Sequence, residues 1–317
     1  MHEIFDLKNR KRLVLKRGKE RVVANRHPWI FAGAIGSESG PAEAAVGDLF
    51  DANGQRLASG FYSPQSEIRL RALTFGEEEL TEELIAARIE AAIARRRPML
   101  NTSNNAARLI NAEGDDLSGL VVDLYNDIAV IEVANAGIER IKSIVLEAID
   151  HQIRPRLVYL SNDLPARRLE QLTTEPEVIG EGSPATTIVE NGLKFEVDPA
   201  SGQKTGFFLD QRENRALARA LASGKRVLNL FSYTGAFGVY AAAGGATEIE
   251  NVDGSEVAIQ QAKRNHDLNG SAAKFVVADA FAHVRQLAAA NQRYGLVVCD
   301  PPAFAKRRVE VERAARG

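Results

Sequence analysis

The chain has 317 residues, 45% of them hydrophobic and 26% charged, with a net charge of −2; this length and ordinary globular usage give room for two or three domains. One cysteine and five histidines exclude an internal disulfide and a zinc site of recognisable spacing, and no apolar run approaches a membrane span. The first residues, Met1 to Asp6, lack the pattern of a signal peptide, so the expected compartment is the cytoplasm.

The net charge argues against indiscriminate nucleic-acid binding, but its distribution argues for a localised contact. Lys8, Arg10, Lys11, Arg12, Lys16, Arg17, Lys19, Arg21 and Arg26 fall together with Glu20 opposing them; the run reads either as phosphate contacts or as a solvated basic tail. Arg26-His27-Pro28-Trp29-Ile30-Phe31 then sets a proline turn and aromatics beside it, and Trp29 is read as a core anchor ahead of a base-stacking residue. Asn53-Gly54 centres a β-hairpin, and Ile68 to Leu73 alternates like a half-buried strand. Short strands with glycine turns suggest a small β-barrel, ending at Phe75-Gly76 and the acidic run Glu77-Glu78-Glu79.

Thr81 is placed to N-cap a helix whose first turn holds Glu82 and Glu83. Ile85, Ile89 and Ile93 give that helix one apolar face, and Arg95-Arg96-Arg97 before Pro98 suits its negative end. Strands are expected over 120–124, 128–133 and 157–160, with a helix over 138–149, and Asn191-Gly192 marks a second hairpin. Arg108 and the loop Glu113-Gly114-Asp115-Asp116 read equally as an RNA groove or as surface loop polarity.

Four successive apolar strands then end in an acid or a glycine turn. Val227 to Leu230 runs into Phe231-Ser232-Tyr233-Thr234-Gly235 and a helix; Asp253 closes the next strand, with Ser255 after it; Asp279-Ala280 follows Val276-Val277; Asp300-Pro301-Pro302 follows Leu296 to Cys299. In a βαβ unit the glycine turn lets backbone approach a ligand, N–H groups at the helix start face a polar edge, and the second-strand acid suits a ribose. Each piece alone has a plainer reading, since Asp253, Ser255 and Asp279 could simply cap helices. Gln203-Lys204-Thr205 is not a P-loop, because that motif needs Gly immediately before Lys and a second Gly upstream where Val197 or Asp198 stands.

These motifs resemble those of class I S-adenosylmethionine methyltransferases. The stretch Gly202 to Arg215, with Asn229 to Phe237 and Asp300-Pro301-Pro302-Ala303-Phe304, is similar to the bacterial 23S rRNA cytosine-5 methyltransferases of the large-subunit methyltransferase I type, from about Leu13 to Phe304. The resemblance implies an α/β fold: a Rossmann-like methyltransferase domain over 191–317, preceded by a PUA-like RNA-binding β-barrel over 1–76 and a central α+β domain over 77–190. Phe231 and Tyr233 stand where many relatives have glycine, as in this subfamily.

It further implies that S-adenosyl-L-methionine lies across the strand ends. Phe231, Tyr233, Thr234 and Gly235 would surround its amino-acid end, Asp253 with Ser255 its ribose, and Asp279 with Ala280 its adenine. Gln203, Asp210 and their neighbours would close over cofactor and base, and Asp300 would face the base as the catalytic residue. No metal is implied. Lys11, Arg12, Lys16 and Arg17 would contact the RNA, taken as 23S rRNA in a protein-poor or assembling large subunit; a homodimer is admitted and no membrane is involved.

Methylation at cytosine C5 requires a thiolate to add at C6. Cys299, the single cysteine, precedes Asp300 in an apolar strand, and alternation points the two to opposite faces, so Cys299 is expected to be a buried small hydrophobe. The family's nucleophile lies in a later strand-loop, so the expectation is a C-terminally incomplete methyltransferase domain and an inactive fragment. Two other readings stay open: methylation of an exocyclic base amine, suggested by Asp300-Pro301-Pro302, and a non-catalytic RNA-binding protein on the same scaffold. An NAD-dependent dehydrogenase is disfavoured by the missing Gly-x-Gly-x-x-Gly.

Overall fold

A computed structural model describes residues 3–200 and 206–302. The chain separates into two compact units. The first comprises the chain up to Asn101, Ala106–Thr186 and a short stretch from Asp198; the second comprises Thr102–Asn105, Thr187–Val197 and the chain from Phe207.

In the first unit, β1 (Lys11–Leu15), the short helix α1 (Arg21–Ala24), β2 (Trp29–Phe31), β3 (Ile35–Ser39), β4 (Val46–Phe50), β5 (Arg56–Tyr62) and β6 (Ile68–Phe75) build a six-stranded sheet of order β2-β6-β5-β4-β1-β3. The basic run is therefore part of the sheet rather than a tail: Leu13 and Leu15 of β1 enter a core with Ile30, Leu49 and Leu70. Arg10 is buried, paired with Asp48 at 3.1 Å and donating to the carbonyls of Phe5 and Leu80.

The β4–β5 hairpin stands where Asn53-Gly54 predicts it, with a longer loop. Only Gly54 takes a positive φ, +87°, and the Asp51 carboxylate accepts from the N–H groups of Asn53 (2.9 Å) and Gln55 (2.8 Å), so an aspartate-closed loop replaces the two-residue turn. β6 is buried on both faces, not one. Leu70 and Ala72 face the barrel core, while Leu73 joins a second core with Phe61 and Ile85.

That second core belongs to α2 (Glu82–Arg96), β7 (Ala106–Asn111), β8 (Leu120–Tyr125), β9 (Ile128–Val133), α3 (Ala136–Arg140), α4 (Lys142–Ile153), β10 (Leu157–Leu160), α5 (Pro165–Leu169) and β11 (Glu177–Gly180), with sheet order β11-β10-β9-β8-β7. α2 starts as its sequence dictates: Thr81 Oγ1 accepts from Leu84 N–H at 3.2 Å, and Ile85, Ile89 and Ile93 are fully buried. The helix expected over 138–149 is split into α3 and α4 at Ile141 (φ −104°, ψ 15°). Arg108 and the acidic loop serve the fold. Arg108 grips Asp123 through two bonds of 2.8 and 2.9 Å, and the buried Asp115 accepts from Arg95 and Arg96 at 2.5 and 2.7 Å.

In the second unit, β12 (Thr186–Glu190) and β13 (Leu193–Val197) form the other predicted hairpin. Its central residues Asn191 and Gly192 have φ of 50° and 80°, as a two-residue primed turn requires. Then follow α6 (Arg212–Leu221), β14 (Arg226–Leu230), α7 (Ala236–Ala243), β15 (Glu248–Asp253), α8 (Glu256–Leu268), β16 (Lys274–Val277), α9 (Ala280–Ala289) and β17 (Leu296–Cys299). The last four strands are all parallel, in the order β16-β15-β14-β17. Strand order reverses at β14, so a crevice opens beyond the carboxyl ends of β14 and β17, where open α/β sheets bind ligands. Among the described residues no helix is long and apolar enough to cross a membrane.

Candidate cofactor and active site

Register fixes which residues share the carboxyl edge. Leu230 of β14 pairs with Val252 of β15 and Cys299 of β17, so Phe231, Asp253 and Asp300 emerge at one level. Asp253 pairs in turn with Val277, and Ala278 N–H donates to the Asp253 carbonyl at 3.0 Å, which carries Asp279 to the same edge. Four of the expected residues thus meet because four parallel strands stop together.

The turn after β14 holds its shape under backbone strain. Phe231 and Tyr233 have φ of 54° and 48°, a left-handed conformation that costs a residue with a Cβ roughly 1–2 kcal/mol. This explains in physical terms why glycine suits these two positions. Gly235, by contrast, is required by packing as well as by its φ of +74°: a Cβ there would lie 2.7 Å from Cβ of Ala262 on α8. That packing is a close approach to a helix.

Tyr233 N–H donates to Asp253 Oδ2 at 2.8 Å, and Ser255 N–H to Oδ1 at 2.9 Å. Both oxygens are therefore fixed in direction by backbone, and each keeps a lone pair for a further donor. Ser255 and Asp279 also do the work of their plainer reading. Ser255 Oγ accepts from Ala258 N–H at 3.2 Å and Asp279 Oδ1 from Ala282 N–H at 2.8 Å, capping α8 and α9. Thr234 is buried, its carbonyl accepting from Asn265 Nδ2 at 2.9 Å, and Ala280 is buried at the start of α9.

Aromatic rings line the turn. Phe231 meets Phe281 edge-on at 5.9 Å, and Phe208 meets Tyr233 edge-on at 5.4 Å. The second contact brings the segment carrying the exposed Asp210 against the strained turn; Gln203, Lys204 and Thr205 lie outside the described residues. Asp300 is exposed. Cys299 is exposed too, contrary to expectation, because β17 is an edge of the described sheet with β14 as its neighbour.

Sequence reasoning missed the buried polar frame beneath this edge. Glu190, at the end of β12, is fully buried and accepts from Arg215 through two bonds of 2.8 and 2.9 Å and from Tyr240 Oη at 2.9 Å. Burial and the Glu190 charge push the Tyr240 hydroxyl pKa up, so it stays a donor. A second chain runs from Asn229 to Asn251 (2.8 Å), from Asn251 to His266 (3.1 Å) and on to Ser271 (2.8 Å). Burial lowers His266 to about 4. No local pattern announces either network, since each joins residues far apart in the chain.

The arrangement suits a nucleoside: a doubly anchored carboxylate can accept from a diol, and the half-buried Phe231–Phe281 pair can meet a flat base. Comparison with known proteins agrees. The profile of S-adenosylmethionine-dependent methyltransferases matches residues 162–316, and a PUA-like profile matches 13–75. The ribosomal RNA large subunit methyltransferase I of Shewanella denitrificans is 39% identical over 316 residues, covering 96% of this chain and 79% of that protein. That of Tolumonas auensis is 39% identical with the same coverage.

The chain belongs to the ribosomal RNA large subunit methyltransferase I family. Solved structures agree on the fold of this methyltransferase. One from Streptococcus mutans, ascribed to a SAM-dependent methyltransferase, superposes with a TM-score of 0.78 at 23% identity, covering 95% of this chain and 81% of that one. A second, ascribed to a methyltransferase and solved with SAH, gives 0.80 at 23% identity over 94% and 78%. The cofactor of the methyltransferase is S-adenosylmethionine, which supplies an electrophilic methyl group when bound. Among the described residues no cluster of side chains could hold a metal ion.

Proposed function

We propose that this methyltransferase places a methyl group on C5 of a cytosine in large-subunit ribosomal RNA, in the cytoplasm, with Asp253 and Ser255 at the cofactor ribose, Asp279 and Ala280 at its adenine, Phe231, Tyr233, Thr234 and Gly235 at its methionine end, and Asp210 with Gln203 closing over it. The division into a PUA-like part over 1–76, a central part over 77–190 and a catalytic part over 191–317 belongs to the same reading. The observation that carries it is the common level of Phe231, Asp253 and Asp300 across the switch point, supported by relatives that are large-subunit rRNA methyltransferases.

Methylation at C5 replaces the hydrogen on that carbon, which leaves as a proton, whereas methylation of an exocyclic amine leaves the C5 hydrogen in place. Asp300, rather than Cys299, is assigned to the base: the two are consecutive at the end of a strand and so point to opposite faces. Lys11, Arg12, Lys16 and Arg17 are assigned to phosphates. The exposed Asp300-Pro301-Pro302 end also favours a second reading, methylation of an exocyclic amine. Large-subunit RNA carrying C5-tritiated cytidine, made in cells lacking the gene, separates the two. Extract from cells that contain the gene should release tritium; methyl incorporation without tritium release would replace the first reading by the second.

A further inference from the structure

Trp29 is not the core anchor its sequence suggests. On β2 the pattern is exposed, buried, exposed: Ile30 is fully buried in the barrel core, while Trp29 and Phe31 are 36% and 47% exposed on the opposite face. Residues two apart on a strand stand about 6.6 Å from each other on one face, a spacing that admits a flat ring between or across them. The indole is held at its edge, Nε1 donating to Glu113 Oε1 at 2.8 Å with His27 edge-on at 6.0 Å.

Beside this pair the charge is one-sided. Lys16, whose ammonium donates to the Gly33 carbonyl at 2.9 Å, lies next to the turn that follows Phe31. Lys16, Arg17, Lys19, Arg21 and Arg26 are all exposed, and among the described residues none of the five forms an ion pair, whereas Arg10, Arg56, Arg71 and Arg108 all do. The nearby carboxylates are Glu113, engaged by Trp29 and Ser118, Glu20, which accepts from Gly18 N–H, and the exposed Glu67, whose carbonyl accepts from Ala32 N–H. Of the five, Lys16 is held by a carbonyl and Arg26 lies over the Phe75 ring at 5.5 Å, so their charges stay un-neutralised by carboxylates, and such cations beside exposed aromatic rings are complementary to a flexible polyanion that carries flat bases.

We infer that Trp29 and Phe31 form a stacking platform for unpaired RNA bases, with Lys16, Arg17, Lys19, Arg21 and Arg26 following the phosphates. It rests on the RNA reading proposed above and deepens it by specifying single-stranded rather than duplex RNA at this surface. Trp29 is the chain's single tryptophan, so indole fluorescence reports on the platform alone. Titration of the full chain with a single-stranded oligoribonucleotide should quench that emission, and the matching duplex should quench it less.

Phe31→Ala should weaken single-strand binding about tenfold without altering its salt dependence, and Phe31→Tyr should restore it. Arg17→Glu with Arg21→Glu should flatten the salt dependence. Binding with unchanged emission, or equal quenching by duplex, would overturn the platform while leaving RNA binding intact. An absence of any RNA binding would overturn the underlying reading. A shift in emission that follows protein concentration and ignores RNA would assign the patch to a second copy of the chain.

Discussion

Asp253 carries the most weight of any single residue in the proposed reading, because two backbone N–H groups at 2.8 and 2.9 Å aim its carboxylate and leave acceptor capacity for the ribose assigned to it there. Asp253→Ala should weaken S-adenosylmethionine binding by about 1.5–3 kcal/mol, the range for a hydrogen bond to a charged group. Calorimetry on the folded variant checks this, and unchanged affinity would reduce Asp253 to a turn-former. His266 makes a prediction of opposite kind, on stability. Its folded pKa, about 4 against an ordinary 6.5, means the unfolded chain takes up a proton that the folded one refuses. Its contribution to stability is fully present above pH 6.5 and is lost as pH falls toward 4, by at most about 3 kcal/mol. Urea melts should show that slope in the parent and a flatter one in His266→Gln.

Elements were legible where their cause is local. The cap of α2 at Thr81, the apolar face of Ile85, Ile89 and Ile93, and the Asn191-Gly192 turn all follow from residues within a few positions of one another, and the structure contains each of them. The acid or glycine turn at each strand end was equally visible, since every parallel strand reaches the same edge. What sequence did not show was set by context: Trp29 faces outward because Ile30 takes the core position beside it, Cys299 is exposed at an edge of the described sheet, and Glu190 is buried because Arg215 and Tyr240 reach it from far along the chain. Ser255 illustrates an element-scale duty hidden inside a site assignment. As the cap of α8, Ser255→Ala should cost about 1 kcal/mol of stability; a melt identical to the parent's would show that the cap is not needed.

At the scale of the whole molecule, a net charge of −2 conceals a division of labour. The first unit carries five exposed cations that form no ion pair among the described residues, close in sequence to an aromatic pair, and the second carries a parallel sheet whose strand ends bring Phe231, Asp253, Asp279 and Asp300 to one edge. Under the proposed reading, binding RNA and methylating it fall to different parts of one chain, each built around its own sheets. The central claim, methylation at cytosine C5 of large-subunit rRNA, is tested most directly by a mass-spectrometric nucleoside map of that RNA from cells with and without the gene. The account predicts that one 5-methylcytidine disappears on deletion and returns with the restored gene. An unchanged map, or the loss of an N-methylated base instead, would contradict it.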